Sequence, residues 1–230
     1  MSEFSGSETL RRYFALMAEC PELFRRSPDE AITILTDPAE IQAAVDFVRR
    51  QRRAAAMKAA DLRVGVLADD PYMTIVRDPV RFMDGSMGLY NRVVESGSVA
   101  VIPIYRERLV LLEIFRHGTH EWMLEFPRGA ALHAESSDDA ARREVAEELG
   151  GTVAELVDLG RFTPGGSSIA VSSRLFGARL AGIGDVQRGE SIRGLRLVSA
   201  SEFERLVGDG AIFCGFTMAA YLRARVMGFL

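Results

Sequence analysis

The chain shows two different spacings of hydrophobic residues. In its first part apolar residues recur three or four positions apart, the period of an amphipathic helix, as at Ile41, Val45 and Val48. From Leu62 the period shifts toward two, which is typical of half-buried strands. The pattern therefore predicts a helical region followed by a region rich in β-structure.

Boundary signals place the individual elements. Segments with helical periodicity are Glu8–Ala18, Pro38–Ala60, Asp138–Leu149, Ala200–Val207 and Phe216–Val226. Segments that resemble strands are Arg63–Leu67, Tyr72–Val76, Gly88–Val94, Ser98–Tyr105, Arg108–Phe115, Glu121–Phe126, Val157–Phe162, Ser173–Leu180 and Gly194–Val198. Strands on both sides of a glycine-ended helix, with a closing helix, indicate a mixed sheet between helices.

Composition excludes some classes of protein. The 230 residues suffice for one domain of ~150 residues with an extension. A net charge of -4 argues against a binder of nucleic acid polymers. No apolar run approaches the ~18 residues that cross a bilayer, so we expect no membrane partner. The first residues lack a basic segment leading into an apolar one, so we expect a cytoplasmic location.

The stretch Gly129–Gly151, here called the box, carries the chemistry. It follows the pattern G-x5-E-x7-R-E-V-x-E-E-x-G. Ser136 and Ser137 with the two following aspartates supply cap oxygens and negative charge for a helix start, and Gly150-Gly151 supplies a left-handed stop. A loop that leads into an acidic helix is the predicted structure.

The acidic residues of this helix fall on one flank. Glu144, Glu147 and Glu148 stand at i, i+3 and i+4, so their carboxylates lie one turn apart and repel one another unless a cation lies between them. Hard oxygen ligands suit Mg²⁺, and also Mn²⁺. Arg143 and Glu135 are placed to pair and hold the loop against the helix. Three glutamates alone would suit a solvated helix face, but the whole pattern favours a metal site.

The box resembles the signature of the Nudix hydrolases, with Gly151 standing where that family has a bulky aliphatic residue. The resemblance implies an α+β fold: a Nudix-type α/β/α sandwich with a mixed sheet and an N-terminal helical extension. It divides the chain into a helical extension at residues 1–60, a short β segment at 61–96 that could form a dimer, and a Nudix domain at 97–230. A homodimer is the expected assembly.

The resemblance also implies roles for the charged residues. Glu144 and Glu148 would be the main metal ligands, Glu147 would share a further ion, and the backbone carbonyl of Arg128 would contribute. The metal ions would activate water for attack on a pyrophosphate.

Two further roles concern proton transfer and orientation. Arg143 and Glu135 would be the orienting pair. Glu190 occupies a position similar to the loop glutamate that serves as general base in such hydrolases, with a surface glutamate as the alternative.

Sequence outside the box indicates the substrate class. The runs Gly97–Pro103, Leu111–Arg116 and Trp122–Gly129 are similar to ADP-ribose pyrophosphatases and nucleoside-diphosphate-sugar hydrolases. This implies cleavage of ADP-ribose or an ADP-sugar to a nucleoside monophosphate and a sugar phosphate. The branch usually has a small residue where this chain has Arg128.

Substrate contacts are expected at Arg116, Glu125 and Pro164. Arg116 could bind phosphate through its planar fork or be a surface arginine at a sheet edge. Glu125 could bond ribose or assist the metal. Trp122 is interpreted as a packing residue rather than a base-stacking platform.

Alternatives remain open for the function. Another diphosphate such as NADH, a dinucleoside polyphosphate or a capped nucleotide would suit the same box. A sensor that binds a nucleotide sugar without cleaving it is the alternative from another class.

Overall fold

Most predicted elements are confirmed, with shifts of up to six residues at their ends. The computed structural model describes residues 8–25, 27, 29–57, 61–95, 97–132, 134–185 and 191–230. Its helices are α1 (Glu8–Glu19), α2 (Pro38–Ala54), α3 (Ser137–Leu149), α4 (Ala200–Gly208) and α5 (Gly215–Val226). Its strands are β1 (Ile32–Ile34), β2 (Gly65–Asp69), β3 (Met73–Phe82), β4 (Met87–Glu95), β5 (Ser98–Tyr105), β6 (Arg108–Arg116), β7 (Glu121–Glu125), β8 (Arg128–Ala130), β9 (Thr152–Phe162), β10 (Ile169–Ala170), β11 (Ser173–Gly182) and β12 (Ile192–Val198).

Some of these differences from prediction are large. Strand β3 runs to Phe82 rather than Val76, and β9 begins at Thr152 rather than Val157. Helix α2 ends at Ala54, before the predicted Ala60. A single 3₁₀ turn at Pro21–Phe24 and the strands β1, β8 and β10 were not predicted. Each of these is four residues or fewer, too short to show a hydrophobic period.

The described residues form two compact units. The first comprises the chain up to Glu95 together with Gly165–Ala170. Its sheet has the order β1-β3-β4-β10, and β2 pairs with β3. Its core joins Tyr13 of α1 and Ile41 of α2 to Val76 of the sheet. The described parts of the predicted segments 1–60 and 61–96 therefore share one core.

The second unit is built on a mixed sheet of order β12-β6-β5-β11-β9. β5 and β11 are parallel, whereas β11 with β9 and β12 with β6 are antiparallel. Alternate residues of β5 and β6 face opposite cores. Val101 and Leu112 pack with α3, while Ile102 and Leu111 pack with α4 and α5. Each face is thus covered by helix, and the predicted α/β/α sandwich is confirmed.

The sheet of the second unit divides between β5 and β6. These strands pair only beside their hairpin, at Ile104 with Leu109 and Tyr105 with Arg108. Farther along, β6 pairs with β7 and β5 pairs with β8, so the β7–β8 connection crosses the gap. The Val101 N–H donates to the Pro127 carbonyl at 2.9 Å and fixes this crossing. The division brings the start of the box to the middle of the sheet.

No helix in the described ranges combines the length and apolar character needed to cross a membrane.

Candidate active site

Helix α3 begins one residue before the predicted Asp138 and ends at the predicted Leu149. Ser136 is the N-cap, and its Oγ accepts from the Asp139 N–H at 3.1 Å. Gly150 ends the helix with φ of 57°, in the left-handed region that glycine adopts readily. At Gly151 a Cβ would lie 2.9 Å from Val145 Cγ1, so the backbone lies against the helix and a bulky residue would force a shift. This contact explains why the chain has a glycine at position 151 where the family has a bulky aliphatic residue.

Arg143 ties the loop of the box to the helix. Its Nε and Nη2 donate to the two oxygens of Glu135 at 3.0 and 3.1 Å, and Nη2 also donates to the Ala130 carbonyl at 2.8 Å. The hydrogen bonds from Arg143 lower the pKa of the Glu135 carboxyl, and those same bonds raise the pKa of Arg143. The ion pair predicted from the spacing is present.

The same guanidinium lies between two of the helix glutamates. Arg143 Nη1 donates to Glu144 at 2.7 Å and to Glu147 at 2.8 Å. Its positive charge offsets the repulsion expected at this spacing. The three glutamates differ in exposure, since Glu144 and Glu148 are 7% and 4% exposed whereas the Glu147 side chain is 45% exposed. The buried carboxylates of Glu144 and Glu148 are called the carboxylate pair below.

The first glycine of the box makes room for this pair. A Cβ at Gly129 would lie 2.1 Å from Glu144 Oε1, far inside contact distance. The neighbouring backbone N–H of Arg128 donates to Glu148 Oε2 at 3.1 Å. Strand β8 therefore leaves space for Glu144 at Gly129 and binds Glu148 through the Arg128 N–H.

The donors suit a hard divalent cation that also takes ligands from water or substrate. Among the described residues, no group of three or more His, Cys, Asp or Glu side chains is arranged to hold a metal ion by itself. The two buried carboxylates of the pair nevertheless lie on the same helix flank as the half-exposed carboxylate of Glu147. Mg²⁺ usually keeps several waters and takes only one or two protein carboxylates. The residues therefore fit Mg²⁺ or Mn²⁺.

A second charged cluster lies where β7 leads into β8. Glu125 is fully buried, and Arg116 donates to it through Nε at 3.2 Å and through Nη2 at 2.7 Å. Arg128 Nε donates to the same carboxylate at 2.9 Å. Burial alone would raise the pKa of Glu125, but the hydrogen bonds and charges of the two arginines outweigh it and lower that pKa. The carboxylate is therefore held ionised.

The neighbours of this cluster were not predicted from the sequence. Thr217 Oγ1 accepts from the Phe126 N–H at 3.1 Å, and the Phe216 ring lies 5.1 Å from Arg128 Cζ. Both residues begin α5, some ninety positions away, where no local motif marks them. These contacts can be seen only in the tertiary structure.

Other candidates lie outside these clusters. Pro164 is exposed at a bend after β9. Glu190, the predicted base, lies outside the described residues. Trp122 is 43% exposed and packs on Phe115 and under Arg193, so it is only partly the packing residue that was predicted.

Comparison with known proteins decides the family. The NUDIX domain model matches residues 95–212, just over half of the chain, and this range contains the whole box. The chain belongs to the Nudix family. The expected family and fold are thus confirmed.

Two relatives of this Nudix chain carry similar names. It is 30% identical over 91 residues to the ADP compounds hydrolase NudE of Escherichia coli (strain K12), covering 39% of this chain and 49% of that protein. The chain therefore spans about half the length of that curated relative. A crystal structure titled ADP compounds hydrolase superposes with a TM-score of 0.63 at 21% identity, covering 70% of this chain and 89% of the other. The structural match supports the fold.

Proposed function

We propose that this protein hydrolyses the pyrophosphate bond of a nucleoside diphosphate derivative with the help of Mg²⁺, ADP-ribose or an ADP-sugar being the substrate. The products would be a nucleoside monophosphate and a sugar phosphate. The observation that carries the proposal is the buried carboxylate pair. Glu144 lies against Gly129 and accepts from Arg143, and Glu148 accepts from the Arg128 N–H.

Each residue has a distinct part in this proposal. Glu144 and Glu148 would hold the cation, with Glu147 and the Arg128 carbonyl as further ligands. A cation bound there supplies charge neutralisation at the diphosphate and lowers the pKa of a bound water. Arg143 orients Glu144 and Glu147, since it bonds both of them while it is anchored to Glu135.

The choice of ADP-containing substrates has separate support. The similar E. coli protein is named an ADP compounds hydrolase, and the sequence runs around the box resemble the same branch. NADH, dinucleoside polyphosphates and capped nucleotides belong in the same assay as competing substrates.

The decisive experiment is hydrolysis of this substrate panel by purified protein with Mg²⁺, with Mn²⁺ and with EDTA. We expect metal-dependent release of AMP from ADP-ribose or an ADP-sugar. Glu148→Gln should lower kcat by at least about a hundredfold, because cation stabilisation of the transition state is worth several kcal/mol. Glu155→Gln is the matched control, since Glu155 belongs to an exposed ion pair with Arg179.

The result can contradict the proposal in two ways. Full activity of Glu148→Gln would exclude the carboxylate pair from metal binding. Tight, metal-independent binding of ADP-ribose without product would instead favour the sensor.

The base and the assembly form separate parts of the proposal. We expect Glu190→Gln to lower kcat with little change in KM, and a KM effect alone would exclude Glu190 as the base. Light scattering should give the mass of a homodimer.

A further inference from the structure

The cluster around Glu125 carries one positive charge in excess. Its members are one carboxylate and two guanidinium groups, Arg116 and Arg128, here called the arginine pair. A single arginine would already neutralise Glu125. The second arginine stands where the branch that the sequence resembles usually has a small residue.

Both guanidinium groups keep donors for another partner. Glu125 takes Nε and Nη2 of Arg116 and only Nε of Arg128. Within the described ranges no hydrogen bond engages Nη1 of Arg116 or either Nη of Arg128. Phe216 covers a face of Arg128, whereas the N–H donors of a guanidinium lie in its plane. The remaining donors can therefore bind an anion.

The arginine pair is accessible but rigidly held. Its side chains are 25% and 31% exposed, so a ligand can reach them without unfolding. The buried Glu125 and the Phe216 ring restrict their rotation, which reduces the entropy lost when a ligand binds. A half-buried guanidinium also interacts more strongly with an anion than one in open solvent does.

The arginine pair lies beside the carboxylate pair. Arg128 bonds Glu125 through its side chain and Glu148 through its backbone N–H. Burial lowers the pKa of Arg116, but hydrogen bonding and charge from Glu125, together with the charge of Glu148, raise it overall. The proposed cation site at the carboxylate pair and the cationic arginine pair are therefore adjacent, which suits a ligand with two linked phosphates.

We infer that the arginine pair, positioned by Glu125, binds one phosphate group of a diphosphate substrate, and that the Arg128 side chain is a specificity-determining residue of this chain. The inference rests on the proposed function. A substrate with a single phosphate would leave one of the two sites empty, so the protein should discriminate in favour of diphosphates.

The alternative is that Arg128 only stabilises the fold by neutralising Glu125. Equilibrium binding separates the two roles without any turnover. Inorganic pyrophosphate is titrated into the full chain by calorimetry in buffer with EDTA. Arg128→Ala should weaken binding by about ten- to hundredfold, the range expected for lost hydrogen bonds between charged groups. Arg128→Lys should recover part of the affinity, since it keeps the charge without the planar fork.

The matched control is Arg179→Ala. Arg179 also pairs with a glutamate, Glu155, and lies over a phenylalanine ring, Phe229. The Arg179→Ala variant should bind pyrophosphate with wild-type affinity. Steady-state kinetics on ADP-ribose with Mg²⁺ should show that Arg128→Ala raises KM more than it lowers kcat.

Unchanged pyrophosphate affinity in Arg128→Ala, absent binding by the wild type, or an equal loss in Arg179→Ala would overturn the inference. Should Arg128→Ala fail to fold, Arg128→Lys carries the test: weaker binding at unchanged thermal stability supports the site, and unchanged affinity contradicts it. Pyrophosphate binding that depends on Arg128, without hydrolysis of any diphosphate, would contradict the proposed function but not this inference. Hydrolysis of ADP-ribose by Arg128→Ala with an unaltered KM would contradict this inference but not the proposed function.

Discussion

At the scale of single residues, Gly129 decides whether the carboxylate pair can form. The Glu144 carboxylate occupies the space that any larger side chain would need, since a Cβ would meet its oxygens at 2.1 and 2.5 Å. The glycine of the box is thus required by close approach, because its backbone needs no positive φ.

Gly129→Ala should therefore displace Glu144 and lower kcat about a hundredfold, the loss typical of a reactive group moved by about 1 Å. Metal-dependent hydrolysis of ADP-ribose measures it. Gly182→Ala is the control, since nothing lies within 4 Å of a Cβ there. Equal activity of both variants would contradict this account of the glycine.

Glu125 is the other residue on which the site depends. Glu125→Gln leaves two guanidinium groups without their carboxylate and should lower the free energy of unfolding by about 2–4 kcal/mol at pH 7. The lowered pKa of Glu125 means that its stabilising effect is present above the ordinary value near 4.5 and is lost as the pH falls below it.

Urea unfolding at pH 7 and near pH 3.5 tests this prediction. The difference between wild type and Glu125→Gln should shrink at the lower pH. A difference that stays constant or widens would mean that the carboxylate charge contributes nothing.

At the scale of elements, helix α3 depends on one cap although its sequence offers two. Ser136 and Ser137 were equal candidates, and the structure gives the cap to Ser136, whose Oγ accepts from Asp139. Ser136→Ala should cost about 1 kcal/mol of unfolding free energy, and Ser137→Ala should cost much less. Chemical denaturation of both variants checks this, and equal effects would contradict the assignment.

The division between β5 and β6 is the element that assembles the site. Because these strands pair only beside their hairpin, β7 and β8 can enter the gap. Glu125 at the end of β7 and Arg128 at the start of β8 then meet Arg116 on β6. A continuous pairing of β5 with β6 would leave no place for this cluster.

At the scale of the whole molecule, the first unit contains a buried polar group that responds to alkaline pH. The Tyr13 hydroxyl donates to Asp78, which also accepts from Arg92. Burial, with Asp78 second, raises the pKa of Tyr13 above its ordinary value of 10.0. A group whose folded pKa is raised stabilises the protein fully below that ordinary value and progressively less above it.

Tyr13→Phe should cost about 1–3 kcal/mol at pH 8, because Asp78 loses a buried donor. The difference from wild type should decrease above about pH 10. Denaturant unfolding of both proteins between pH 8 and pH 11 measures it. A wild type whose stability does not change over this range would contradict the prediction.

The sequence by itself determined the family, the order of elements and the acidic helix with its orienting pair. The family follows from the resemblance of the whole box, which the family model confirms. The elements and the acidic helix follow from local rules: hydrophobic period, caps, glycine stops and the spacing of charges along one helix. Glu135 and Arg143 could be paired from sequence because only seven residues, the helix cap and the first turns of α3, separate them.

Tertiary structure alone decided which residues meet across the sheet. The burial of Glu144 and Glu148 depends on β8. The hydrogen bond of Arg128 to Glu125 depends on the division of the sheet. The ring of Phe216, which lies over Arg128, belongs to the last helix. Arg128 and Glu125 are only three residues apart, but Arg128 is twenty residues from Glu148 and lies against the last helix. The energies of these contacts arise from burial and desolvation that no local pattern encodes. The arginine at position 128, only a departure from the family in the sequence, becomes in the structure a candidate for selecting the substrate.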